Sequence, residues 1–197
     1  MTERESAFAI TERSKSSIIQ HKNFESRYVD NRTVDVWIPP RFTFDKVQKY
    51  KVLYVHDGQN IFNDRSQNNS KQWGIGQTLE NLISEGKVAP TIVVAIHNNG
   101  FKRFIEYMPE VPKEYTSTPQ ARAILKANFG VTELQSNNYL KFIVEELIPF
   151  IKTTYPISNE KKDTVIMGSS MGGLISLYAI SKYPAIFGAA GCISTHW

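Results

Sequence analysis

Cysteine is nearly absent. The 197 residues contain one, Cys192, so no internal disulfide is possible and no zinc site built from several cysteines exists. Charge of one sign is scarce as well. The 23 Lys and Arg stand against 19 Asp and Glu, and the basic residues cluster no further than pairs such as Lys161-Lys162. Such pairs read as a solvated face, and no nucleic-acid partner is expected. Long hydrophobic runs are missing. The longest, such as Ile92-Val93-Val94-Ala95-Ile96, are far too short to span a bilayer. Met1-Thr2-Glu3-Arg4-Glu5-Ser6 carries acids and opens no apolar core of the signal-peptide kind. The expectation is a soluble cytoplasmic protein with no membrane contact. Repeats and low-complexity blocks are absent too, and an apolar content of 41% excludes collagen-like, mucin-like and wholly disordered chains. A chain this long buries up to roughly 70% of its unfolded surface, so one domain needs no metal or disulfide staple, and neither metal nor cofactor is expected.

What is present is alternation. Residues 1–23 are polar and weakly patterned and read as an N-terminal arm, with one domain over 24–197. Phe24 to Val29 is a candidate strand, and Arg32-Thr33-Val34-Asp35-Val36-Trp37-Ile38 alternates cleanly until Pro39-Pro40 stops it. Val52 to Val55, Ile92 to Ile96, Thr164 to Met167 and Ala189 to Ile193 are short and apolar throughout, as in strands of a parallel sheet covered on both faces. Helical patterns separate them. Ile75, Leu79, Leu82 and Ile83 share a face that Gly86 ends. Thr118-Pro119 reads as an N-cap and first helical position, with Ala121, Ile124 and Leu125 behind it. Asn138 is placed to cap a helix through Ile151 that Pro149 kinks or ends. A last helix spans 172–183. The order predicts an α/β fold with a mostly parallel sheet flanked by helices.

Gly168-Ser169-Ser170-Met171-Gly172-Gly173 joins the strand 164–167 to that last helix. Gly-x-Ser-x-Gly at such a junction has a mechanical reason. A very sharp strand-to-helix turn strains the serine backbone and lifts its hydroxyl clear of the sheet, and side chains two residues either side would collide. The motif arises by chance in a chain of this size roughly one time in twenty, so the flanking strand and helix carry its specificity. A plain glycine turn and a phosphate-cradling loop are the alternatives, although the Gly-Lys-Ser/Thr ending of the latter is missing. A serine nucleophile needs donors for an oxyanion. Met171 N–H would supply one. The second would come from His56-Asp57-Gly58-Gln59-Asn60, where Gly58 lets the backbone approach a substrate and Gln59 N–H points at the oxygen; a simple Asp-Gly turn is the alternative.

The run Gly168 to Tyr178, with Lys182-Tyr183-Pro184 and Phe187-Gly188, resembles the Putative esterase family of α/β-hydrolases, which includes enterochelin esterases, S-formylglutathione hydrolase and feruloyl esterases. The resemblance extends through Val34 to Pro39, Leu53 to Phe62, Glu85-Gly86-Lys87, Arg103 to Pro109 and Glu145 to Pro149. It implies the α/β-hydrolase fold, a small-molecule ester substrate, Ser170 as nucleophile, and Gln59 and Met171 at the oxyanion hole.

In that fold the triad runs Ser, acid, His along the chain, with acid and histidine after the seventh and eighth strands. Trp197 stands at the end of the sixth, so the chain is expected to be a fragment lacking the last two strands, and Ser194 to Trp197 neither caps nor covers the last strand. A non-catalytic binding relative and an acyltransferase of the same family are the alternative readings. Among the four histidines, His21 is expected at the surface and His56 in a local bond, while His97 is a rim residue suited to substrate contact and His196 ends the strand beside Ser170's. The loop Asn98 to Arg103 should line the cleft, with Asn98 and Arg103 facing substrate unless Arg103 pairs with Glu106. Trp73 is available for stacking on a sugar.

Overall fold

Alternation along four strands sorts the core into two layers. On β2 (Arg32–Ile38), β3 (Lys51–His56), β4 (Thr91–Ile96) and β5 (Thr164–Ser169), residues Val34, Val36, Val52, Tyr54, Ile92, Val94 and Ile166 belong to one buried cluster. Their neighbours of opposite parity, Trp37, Val55, Val93 and Ala95, belong to the other. Side chains of successive strand residues point to opposite faces, so each strand serves both layers. The computed structural model describes residues 15–45, 47–62, 72–110 and 113–196.

Among the described residues the sheet has six strands in the order β1-β2-β4-β3-β5-β6, with β1 (Ser17–Phe24) at one edge and β6 (Ala189–Ile193) at the other. The pairs β1/β2 and β2/β4 are antiparallel, and β4/β3, β3/β5 and β5/β6 are parallel. Parallel pairing brings the C-terminal ends of β3, β4, β5 and β6 to one rim. Loops leaving that rim carry the candidate site residues, as expected for ligand sites in open α/β sheets.

Seven helices connect the strands among the described residues: α1 (Ile75–Ser84), α2 (Arg103–Tyr107), α3 (Lys113–Thr116), α4 (Pro119–Phe129), α5 (Ser136–Lys141), α6 (Ile148–Thr154) and α7 (Met171–Lys182). The stripe Ile75, Leu79 and Ile83 of α1 covers the Trp37 layer. The helices α5, α6 and α7 cover the other through Leu140, Ile151 and Ile175. Thr118 caps α4 as expected, its Oγ1 accepting from Ala121 N–H at 3.1 Å, and Gly130 ends that helix at φ 71°. None of these helices is long and apolar enough to cross a membrane.

Three local expectations differ from the structure. The first strand covers Ser17–Phe24, not Phe24 to Val29, so part of the expected arm lies in the sheet; residues 1–14 lie outside the described residues. The segment after it turns away because Ser26 Oγ accepts from the N–H groups of Tyr28 and Val29 and itself donates to Glu146. Its register also slips between His21 and Phe24, where Asn23 takes φ 55°. The second difference is the start of α5 at Ser136, which puts Asn138 inside the helix. Third, Pro149 does not end it. A π-helical stretch, Phe142–Leu147, joins α5 to α6, and Pro149 falls in the first turn of α6. The wider π turn shifts the bonding register just before the residue that has no N–H to give.

Candidate active site

Ser170 lies between β5 and α7 with φ 57° and ψ −121°, a conformation that costs a residue with a side chain about 1–3 kcal/mol. Among the described residues, main-chain bonds hold the turn. Ser170 N–H donates to the Ile193 carbonyl at 3.0 Å, and the Ser170 carbonyl accepts from the N–H groups of Gly173, Leu174 and His196 at 3.0, 3.2 and 3.2 Å. Of the two motif glycines, Gly168 cannot carry a side chain, whereas a Cβ on Gly172 would make only ordinary contacts, 3.4 Å from Asp57 Oδ2 and His56 Cβ. A Cβ on Gly168 would lie 2.6 Å from the Gly172 carbonyl carbon, and one on Gly173 would lie 2.9 Å from Thr195 Oγ1. The collision expected from the spacing is therefore a contact between two backbones.

The second turn leaves β3, the neighbour of β5. Asp57 takes φ 58° and ψ 45°, and Gly58–Asn60 form a single 3-10 turn. Gln59 is the second residue of that turn and Met171 the first of α7, positions whose N–H groups have no carbonyl partner within their own helix. Gly58 is buried, and its packing adds a constraint that the sequence did not show. A Cβ there would meet the Ala95 backbone at 2.7 Å and His97 Cδ2 at 2.8 Å, so glycine is needed for close approach to β4. Trp73 N–H donates to the Asn60 carbonyl at 3.1 Å, which places this half-exposed residue beside the same turn.

The cleft residues expected after β4 are tied into the protein. Arg103 does not pair with Glu106. Its Nε and Nη2 donate to the two carboxylate oxygens of Asp57 at 2.7 and 2.8 Å. Asn98 Nδ2 donates to Asp57 Oδ1 at 2.7 Å, and Asn98 N–H to Gln59 Oε1 at 3.1 Å. Burial opposes the charge on Asp57, but the bonds from Arg103 and Asn98 outweigh it and hold the carboxyl below its usual range. His97 Nε2 lies 2.7 Å from Asp35 Oδ2, which ties this ring to β2.

Beneath the two turns lies a polar cluster that was not expected. Arg32 donates to both oxygens of Glu106 at 2.8 and 3.0 Å, with both side chains all but inaccessible. The guanidinium lies over the rings of Tyr139 and Phe142, 5.2 and 5.1 Å from their centroids. Tyr139 OH meets His56 Nδ1 at 2.8 Å. Tyr107 OH accepts from Asp57 N–H at 3.3 Å. His56 is wholly buried and its pKa falls to about 4, because burial disfavours the imidazolium. A signal for part of this was present: in the alternation 32–38, Arg32 has the parity of Val34, Val36 and Ile38, the core-facing residues.

Three of the four histidines have partners elsewhere. His21 meets Tyr155 OH at 2.8 Å in β1, contrary to the surface role expected, His56 meets Tyr139, and His97 meets Asp35. The exposed His196 is joined to Ser170 through its backbone N–H. A groove of about 530 Å³ runs along α7 past Leu174, Leu177 and Tyr178 without including Ser170. Among the described residues no group of three or more His, Cys, Asp or Glu is arranged to hold a metal ion.

The sequence profile of the family described as Putative esterase matches residues 26–197. The uncharacterized protein YbbA of Bacillus subtilis is 27% identical over 184 residues, which are 93% of this chain and 62% of YbbA. Ferri-bacillibactin esterase BesA of the same organism is 27% identical over 180 residues, 85% of this chain and 56% of BesA. Among solved structures, a ferulic acid esterase of Anaeromyces mucronatus superposes with a TM-score of 0.58 at 20% identity, covering 98% of this chain and 62% of that one. The chain thus spans about three fifths of the length of these proteins, and the shared fold is that of the α/β-hydrolases.

Proposed function

The chain belongs to the Putative esterase family, and on that premise we propose that it carries the nucleophile and oxyanion hole of a serine carboxylic-ester hydrolase. The observation that carries the proposal is the backbone of Ser170, held at φ 57° and ψ −121° between strand and helix at the rim where the parallel strands end. In this reading Ser170 Oγ attacks the ester carbonyl carbon. The C–Oγ bond forms, the hydroxyl proton passes to a base, and the carbonyl oxygen takes the negative charge. Gln59 N–H and Met171 N–H stabilise that charge. Collapse breaks the ester C–O bond, the alcohol leaves with the proton, and water resolves the acyl-enzyme. An acyltransferase would differ only in resolving it with a second alcohol.

His21, His56 and His97 are each engaged away from the turn, so none of them is assigned as the base. Two sources fit the proposal: His196, whose backbone adjoins Ser170, or a histidine in a region that the longer relatives have outside the matched segment. Substrates are taken to be small carboxylic esters, in keeping with the ester-cleaving relatives. The test is turnover of p-nitrophenyl acetate by the product of the complete reading frame, beside Ser170→Ala. Turnover dependent on Ser170 supports the reading. A folded protein with no turnover and no reaction with a fluorophosphonate favours a non-catalytic binding relative instead.

A further inference from the structure

We infer that Arg103 is a positioning residue that sets the oxyanion hole through its ion pair with Asp57, and is not a substrate contact; the inference rests on the esterase reading above. Asp57 stands between the two proposed donors. Its backbone opens the 3-10 turn that carries Gln59 two residues later. On its other side, Asp57 Oδ2 lies 3.4 Å from where a Cβ on Gly172 would stand, so the carboxylate is near the residue next to Met171. Asp57 holds a left-handed conformation that side chains disfavour, at φ 58°. Something must hold it there, and local sequence does not.

The holding groups converge from one segment. Arg103 grips both oxygens with two roughly parallel bonds, the geometry that a planar guanidinium makes and an ammonium does not. Its own position is defined by the Tyr107 ring, 5.0 Å from the guanidinium carbon, and the Tyr107 hydroxyl takes the Asp57 N–H. Asn98 adds a third donor to the carboxylate and ties the Gln59 side chain through its backbone N–H. Two of its five N–H donors are spent on Asp57, so the protein itself sets the orientation of the guanidinium. Removing the grip releases Asp57, lets Gln59 N–H swing away from Met171 N–H, and weakens the transition state more than the bound substrate.

The experiment compares Arg103→Lys, Arg103→Gln and Asp57→Asn in the product of the complete reading frame, using p-nitrophenyl acetate and the anionic mono-p-nitrophenyl succinate. Rates are expressed per site titrated with a fluorophosphonate, so that a partly unfolded variant loses sites and not rate per site. The expected result is a fall in kcat of about 10²-fold for both esters, the scale of one misplaced oxyanion donor, with KM little changed. Lysine should not rescue, and Arg103→Gln combined with Asp57→Asn should cost little more than either alone. A rise in KM confined to the anionic ester would overturn the inference and make Arg103 a substrate contact. Unchanged kcat in all three variants would overturn it as well. Undiminished turnover in Ser170→Ala would instead defeat the esterase reading, whatever Arg103 does.

Discussion

At Ser170 and at Asp57, the first residues after the adjacent parallel strands β5 and β3, the backbone enters the same left-handed half of φ, at 57° and 58°. The two turns hold that conformation by different means. The serine turn is built from missing side chains and main-chain bonds: Gly168 packs on Gly172, and Ile193, Gly173, Leu174 and His196 bond to the Ser170 peptide groups. The aspartate turn is built from charge. Arg103 and Asn98 grip the carboxylate, and Tyr107, Tyr139, His56, Arg32 and Glu106 pack behind it. The first arrangement offers nothing for protons to disturb. The second depends on ion pairs whose members are tens of residues apart, so it can be broken at a distance.

The largest expected effect falls on the serine turn and leaves its backbone intact. Ser170→Ala in the complete protein should lower kcat by about 10⁶ while stability stays within about 0.5 kcal/mol, as read by p-nitrophenyl acetate turnover and urea unfolding. A large stability loss would mean that the hydroxyl, and not the main chain, holds the turn. Breaking the other side needs no contact with substrate. Glu106→Gln leaves Arg32 buried without its carboxylate and should cost about 3–5 kcal/mol in urea unfolding. If it costs less than about 1 kcal/mol, the charge-built side is not held as described.

Next in size is Gly58→Val. Its side chain meets the Ala95 backbone, so the turn must shift, and kcat should fall roughly 10²–10³-fold through the displaced Gln59 N–H. Full activity in a folded variant would give the loop another role. The smallest effect separates the two turns by acid. His56 is neutral in the fold, with its pKa lowered from 6.5 to about 4. Between those values the unfolded chain binds a proton that the native protein does not. The stability from this group is therefore complete above about pH 6.5 and is lost as pH falls towards 4, by about 3 kcal/mol in all. Urea unfolding at about pH 7 and about pH 4.5 should show a loss that His56→Gln reduces. An unchanged loss in the variant would move the acid sensitivity elsewhere.

The same contrast explains what could be read from the residues alone. The serine turn was legible because its cause is local: strand, glycines and helix follow one another without a break over 164–182, and the close packing of Gly168 on Gly172 lies within it. The parallel strands were legible because burial on both faces leaves unbroken apolar runs, as in Ile92 to Ile96. The edge strand β1 was not, since none of its residues is fully buried and its more covered side carries Ser17 and His21 while Ile18 on the other side is exposed. The packing constraint on Gly58 was not legible, because the atoms it avoids belong to Ala95 in β4 and His97 just after it. Arg103 had an acid three residues away in Glu106, yet the fold gives it Asp57, 46 positions back, and gives Glu106 to Arg32, 74 positions back. No local pattern encodes such pairings, because they follow from strand order.

The central claim is that the backbone at one residue selects one nucleophile, and the direct measurement is where a fluorophosphonate attaches. After labelling the product of the complete reading frame and digesting it with trypsin, fragmentation of the peptide 163–182 locates the adduct among Ser169, Ser170, Ser176 and Ser181. The account predicts a single adduct on Ser170 and none in Ser170→Ala. An adduct on Ser169, or labelling that persists in Ser170→Ala, would contradict it.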